Sequence, residues 1–449
     1  MIRKITVIII TAILTLALAS CAGKVASDGS ETSVKNTTEV EVVTEAETEK
    51  SAQTSESETA KSDDTDNTGT VTSVADVTSD GAIDATDLFS NRDLTQTPDL
   101  SEASYFTLAD GEDINITSAG VYVISGSASD VTVSVDAGDE DKVQIVLDGA
   151  SITNSDFPAI YVKNADKVFV TTTDSENSLS VTGAFSADGE TNTDAVIFSR
   201  DDLVLNGLGT LNISSTDNGV TSKDDLKITG GTINISCTSD ALEANDSIRI
   251  ADGDITISTE KDGLHAENDE DNTLGYVYIC GGNLSITAGD DGIHGTTIVQ
   301  IDGGDITINA AEGIEGTWVQ INGGTINITA SDDGINGARK STAYTAAVEI
   351  NGGYTTISMG QGDTDGIDSN GNLYINGGTV DITGQSAFDY DGVAEYNGGT
   401  MIVNGQKTTT ITNQMMGGMG GMDGGFGGNM PSGAPGGNMP GGPGGFGRR

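Results

Sequence analysis

Aromatic side chains are scarce in this sequence: Phe, Trp and Tyr make up 4% of 449 residues, with a single tryptophan. A large core centred on aromatic rings is therefore excluded. Three cysteines are too few for a dense disulfide framework, and histidine occurs only twice. Basic residues are few as well, 20 Lys and Arg against 68 Asp and Glu, for a net charge of −48. So acidic a surface argues against nucleic acid and anionic lipid as partners and favours cations. Nothing in the sequence implies an obligate protein partner. Glycine, by contrast, is abundant at 61 residues, too many for an ordinary globule and too aperiodic for collagen.

The apolar run at residues 5–18 is too short for a comfortable membrane span. It follows Arg3 and Lys4 and ends in Leu18-Ala19-Ser20-Cys21. A basic start, a short apolar stretch and small residues at the cut describe a secretory signal over residues 1–20. The last four residues resemble the bacterial lipobox, which implies cleavage before Cys21 and lipid on its sulfur. The expectation is a protein outside the cytoplasm, lipid-anchored to the cell membrane and exposed at the surface.

Residues 21–88 are Ser, Thr, Glu, Asp and Ala with almost no large apolar side chain. Such a segment buries too little surface to offset its ordering entropy and is predicted to be an extended, disordered linker. Within it, Asp76-Val77-Thr78-Ser79-Asp80-Gly81-Ala82-Ile83-Asp84-Ala85-Thr86-Asp87 has the look of an EF-hand or dockerin loop at several ligand positions. Thr78 replaces the usual Asn or Asp there and the stretch occurs once, so a polar linker is the simpler reading. Residues 413–449 are Gly, Met and Pro of low complexity, again predicted disordered.

Between these flanks, residues 89–412 repeat. Strands rich in Ile, Val and Thr alternate with Gly, Asp and Asn turns, and seven segments align on one template: 226–235, 248–257, 277–286, 299–308, 319–328, 348–357 and 373–382. Each carries two strands of period 2 joined by a Gly-Gly-type corner, with no helical period. Repeats of about 20 to 32 residues mean a solenoid. The predicted fold is all-β, a parallel β-helix. One inward column runs Ile228, Ile250, Ile279, Ile301, Ile321, Ile350, Ile375, and another Ile235, Ile257, Ile286, Ile308, Ile328, Ile357, Ile382. Glycine corners such as Gly303-Gly304 permit positive φ and close stacking. Cys237 and Cys280 fall two repeats apart in different columns, at least about 9.6 Å for strands about 4.8 Å apart. A disulfide needs its Cα atoms within about 7 Å, so both are read as unpaired core thiols.

A turn of the form acid-Gly-apolar-x follows the second strand. It places Asp262, Asp291, Glu312, Asp333 and Asp365 at its first position and Glu315 and Asp368 at its last, with Asp240 and Glu243 in an Ala variant. Asp290 and Asp332 add a second carboxylate. Stacked repeats make a ladder of these acids about 4.8 Å apart, and unit charges that close repel by about 3 kcal/mol at an effective dielectric near 20. Cations between the rungs relieve that cost, and Ca2+, with six to eight oxygen ligands in flexible geometry, is the natural one. Good turn chemistry alone explains one acid per turn, but not the paired acids or Glu312. His265 and His294 share this ladder. Carboxylate-rich surroundings favour a polar role at the rim for them over a transition-metal site.

Outward positions of the first strand bring Tyr276 and Trp318 into one column and Tyr278 and Tyr374 into the next, with Gln300 and Gln320 between. Flat rings beside amides on a rigid sheet suit carbohydrate binding by stacking on sugars.

The order of residues 84–94, the stretch Gly120-Val121-Tyr122-Val123-Ile124-Ser125-Gly126, residues 143–149, the Asn-Gly-Gly repeats and the Gly/Met-rich tail resembles a family of bacterial β-helix lipoproteins described as carbohydrate-binding-domain-containing. The resemblance implies a right-handed parallel β-helix that binds calcium and a polysaccharide, cellulose-like or polygalacturonate, without turning it over. The expected function is a non-catalytic, calcium-binding, surface polysaccharide-binding lipoprotein. Two other readings stand beside it. One is a calcium-dependent polysaccharide lyase, with Lys223 or Lys261 as the base beside the metal. The other is an adhesin or structural stalk.

Overall fold

A computed structural model of the chain describes residues 82–362 and 364–414. Cys21, most of the acidic linker with residues 76–81, and nearly all of the Gly/Met-rich tail lie outside the described residues. Within them the structure is all-β, with 34 strands in one sheet and no helix. The β-branched content of the repeats explains the strands, because Val, Ile and Thr pack well on a pleated surface.

Up to the C-terminal hairpin, each strand pairs in parallel with its counterpart in the next repeat, forming three ladders. The first joins Asp225–Ile228 to Ser247–Ile250 and then to Tyr276–Ile279. The second joins Thr232–Ser236 to Asp254–Ser258 and Asn283–Thr287. The third joins Leu242–Ala244 to Leu264–Ala266 and Asp291–Ile301. Ile228, Ile250, Ile279, Ile301, Ile321, Ile350 and Ile375 are successive register partners, as are Ile235 through Ile382 in the second ladder. All of them are buried, each contributing about 2 kcal/mol of apolar burial. The second glycine of the corners has positive φ, for example 100° at Gly304 and 85° at Gly324.

Beside those corners an amide ladder climbs the repeats. Asn322 donates to Asp302 at 2.8 Å, Asn351 to Asn322 at 2.8 Å, Asn376 to Asn351 at 2.8 Å and Asn397 to Asn376 at 2.9 Å. At the C-terminal end Thr400–Val403 turns back in an antiparallel pair with Gln406–Thr408.

Residues 82–96 form a strap over the outer face of the first ladder. Composition assigned residues 82–88 to the linker, yet Ala82, Ile83 and Leu88 are fully buried against Tyr276, Tyr278, Ile298 and Trp318. The strap continues across earlier repeats. Asp93 sits 3.6 Å from both Lys167 and Lys227, and all three are buried. Gln96 accepts from the Gly207 amide and donates to the Thr229 carbonyl.

Of the two thiols expected to be free, Cys237 is free and buried. Cys280 is disulfide-bonded, which corrects the expectation; the repeat spacing excluded only a bond between those two.

Candidate functional site

The acid-Gly-apolar turns lie at the start of the third-ladder strands. Glycine is required there by crowding: a Cβ on Gly292 would lie 2.3 Å from Ile308 Cγ2 and 2.6 Å from the Gly313 carbonyl, and one on Gly313 would lie 2.3 Å from the Gly334 carbonyl. The acids before these glycines are thereby brought into line. The apolar residues after them, Leu264, Ile293, Ile314 and Ile335, pack inward with no exposure.

Part of each carboxylate is used structurally. Asp240 accepts the Asp262 amide at 3.1 Å, Asp262 the Asp291 amide at 2.9 Å, and Asp333 the Asp365 amide at 3.1 Å. Three residues on, the next column reads Glu243, His265, His294, Glu315, Asn336, Asp368 in register. The two imidazoles stack with centroids 4.7 Å apart and planes 3° from parallel. His265 Nδ1 lies 2.6 Å from Asp262 Oδ2. His294 Nδ1 lies 2.8 Å from Asp291 Oδ2 and 3.1 Å from Glu315 Oε2, and Lys340 Nζ meets that same Glu315 oxygen at 2.9 Å. Burial disfavours charge on His294, but its bonds to Asp291 and Glu315 outweigh that and raise it to about 10. Burial likewise opposes charge on Asp262 and Glu315, yet contacts with His265, and with His294 and Lys340, hold both below their ordinary values.

The next stretch of the ladder has no such relief. Burial pushes Glu312 up to about 7 despite a hydrogen bond from Asn336, with Glu315 and Asp291 adding repulsion. Burial also carries Asp333 to about 7 and Asp368 to about 6, with neighbouring carboxylates adding to each. Asn336 donates to Glu312 at 3.0 Å and to Glu315 at 3.3 Å, while its buried Oδ1 has no hydrogen-bond partner. Asp290 and Asp332, the second carboxylates, are exposed.

Beside the ladder lies a cleft of about 690 Å³, lined by Lys223, Asp224, Glu243, Asp246, His265 and Glu267 among others. Burial and a contact with Asp246 push Asp224 up to about 7. Lys223 is engaged by Glu243 at 3.1 Å, and Lys261 is exposed. Asp224 and Asp246 were missed in the sequence because they fall in an Asn-Asp or Asp-Asp turn outside the acid-Gly template. Only the repeat-on-repeat stacking puts them on the cleft wall.

Residues 110–364 and 312–410 match the family described as carbohydrate-binding domain-containing protein, and the two matches together cover more than half of the chain. The chain belongs to the carbohydrate-binding domain-containing family. A protein of that description from Acetivibrio thermocellus is 37% identical over 124 residues, 26% of this chain. The match spans 43% of that relative's length. A solved structure, described as the polysaccharide lyase-like protein from C. thermocellum in a gadolinium derivative, is 32% identical. It covers 48% of this chain and 92% of its own, with a TM-score of 0.45.

In this carbohydrate-binding domain-containing protein the aromatic column is not a free face. Tyr276, Tyr278 and Trp318 are 1%, 3% and 1% exposed beneath the strap, and no sugar can stack on them there. Their column position was read correctly; the covering segment could not be seen in a composition typical of linkers. Tyr374, beyond the strap, is half-buried.

Proposed function

We propose that this protein is a non-catalytic, calcium-binding polysaccharide-binding lipoprotein of the cell surface, wound as a right-handed parallel β-helix. Family membership supports carbohydrate as the ligand. The observation that carries the calcium reading is the unrelieved stretch of the third ladder. There Glu312, Asp333 and Asp365 hold the first turn position of successive repeats, linked by backbone bonds from Gly313 to Asp333 and from Gly334 to Asp365, and Asp368 pairs in the next column with Asn336, whose side-chain oxygen stays buried without a partner. Hard oxygen donors in that number suit Ca2+. Asp240, Glu243, Asp262, Asp290, Asp291, Glu315 and Asp332 extend the same edge as further oxygen donors.

With the aromatic column covered, a uronate polymer bridged to the ladder by Ca2+ fits this surface better than cellulose held by stacking. A polyuronate and a chain of net charge −48 repel, so the cation must serve both. Retention on insoluble polygalacturonate in calcium buffer, and its loss in chelator, is the test. A protein not retained on any insoluble polysaccharide in calcium buffer would favour the adhesin or stalk reading. The non-catalytic reading predicts no ultraviolet absorbance from unsaturated uronates. The engagement of Lys223 by Glu243 supports it, because a paired ammonium is a poor base.

Anchoring by lipid on Cys21 is part of the same reading. Cys21→Ser should release the protein from membranes, and labelled palmitate incorporation unchanged by that substitution would refute the anchor.

A further inference from the structure

The only two histidines in 449 residues occupy adjacent rungs of one column. Carboxylates surround them. Asp262, Glu267 and, at 4.0 Å, Asp240 meet His265; Asp291 and Glu315 meet His294. One ligand atom each from Asp262, His265 and His294 lies within 4.8 Å of the others, and among the described residues this is the triad with two imidazoles. If the ladder needed only positive charge at these rungs, lysine would serve, as Lys340 does on Glu315. Two stacked imidazoles serve it badly when both are protonated, since like charges would then face each other across 4.7 Å. Imidazole differs from ammonium in that it can exchange its proton for a metal.

We infer that Asp262, His265 and His294 form a site for a divalent transition metal such as Zn2+, separate from the calcium stretch further along the ladder. Imidazole nitrogen with carboxylate suits zinc, copper and nickel and is a poor ligand set for calcium. Zinc–nitrogen bonds of about 2.0 Å place two ligand nitrogens about 3.3 Å apart in a tetrahedral site, so the rings tilt toward each other around the ion. Asp291 and Glu315 both contact Nδ1 of His294 and hold that ring in place beside His265. His265 also lines the open cleft, which leaves the ion a position for water or for a hydroxyl or carboxylate of a bound glycan.

The test is a calorimetric titration of the metal-stripped full chain with zinc chloride, in calcium at a hundredfold excess over zinc. The expected result is one equivalent of zinc bound in the presence of calcium. His265→Ala and His294→Gln should each weaken it tenfold or more, and Asp333→Asn should leave it unchanged. Zinc affinity equal in wild type and both histidine variants, or zinc displaced by calcium, overturns the inference. Should a histidine variant fail to fold, copper(II) bound to the unmutated protein decides: its electron paramagnetic resonance spectrum should show nitrogen hyperfine coupling, and its absence overturns the site. Polysaccharide retention is read separately, so failure of the zinc site and failure of the calcium reading are distinguishable.

Discussion

The Ile83 amide donates to Gln300 Oε1 at 2.7 Å across a sequence separation of 217 residues. One residue earlier, the Ala82 amide donates to Gln320 at 2.9 Å. Two glutamines on successive rungs of the first ladder thus hold the start of the strap, while its far end is fixed by Asp93 and Gln96 several repeats away. The strap crosslinks repeats that are not neighbours, as the contact of Ser341 with Asn272 also does.

Asp93→Asn should therefore destabilise the domain by about 3–5 kcal/mol, the usual cost of removing one partner from a buried ion pair. Lys167 keeps Asp202 at 3.5 Å, which offsets part of the loss. Denaturant unfolding measures this. A change below about 1 kcal/mol would show that the strap's charge is not holding the face.

Trp318→Ala should cost about 3–5 kcal/mol as a buried aromatic truncation. Glycan retention of the variant, assayed well below its melting temperature, should match wild type. Retention lost while the melting temperature stays unchanged would restore the aromatic column as a sugar-binding face.

The metal-stripped protein should lose stability as pH rises from about 4 to about 7. Glu312 and Asp333 titrate near 7 in the folded state against ordinary values of 4.5 and 3.8. In that window the folded state binds more protons than the unfolded, so unfolding becomes easier with rising pH. His294 adds stability that is complete below 6.5 and lost as pH rises through about 10, so it does not offset the fall. Added calcium should flatten the curve at its upper end, because a ligand of the native state stabilises it by mass action. Melting temperatures at constant ionic strength test this; a steady rise with pH in the stripped protein would contradict it.

Gly313→Ala should destabilise by about 1–3 kcal/mol through overpacking. The new Cβ would stand 2.3 Å from the Gly334 carbonyl and 2.5 Å from Ile328 Cγ2. A neutral result would mean that the rungs of the third ladder can separate locally.

The inward isoleucine columns and their register, the glycine corners and the alignment of acids in one turn were all legible in the sequence. A repeat stacks like on like, so position within the template decides position in space, and period-2 strands leave one choice of inward face. What the repeat does not encode had to come from the tertiary structure. The strap has a linker's composition and only a few apolar anchors, Ile83, Leu88 and Phe89, and their partners lie far away in sequence. No local pattern shows that they bury Tyr276, Tyr278 and Trp318. The division of the acid ladder was equally hidden. Asp262 and Asp333 occupy the same template position, yet one sits beside an imidazole and the other among carboxylates. What differs is the residue that stacking places next to each, and with it the electrostatic environment of the carboxylate.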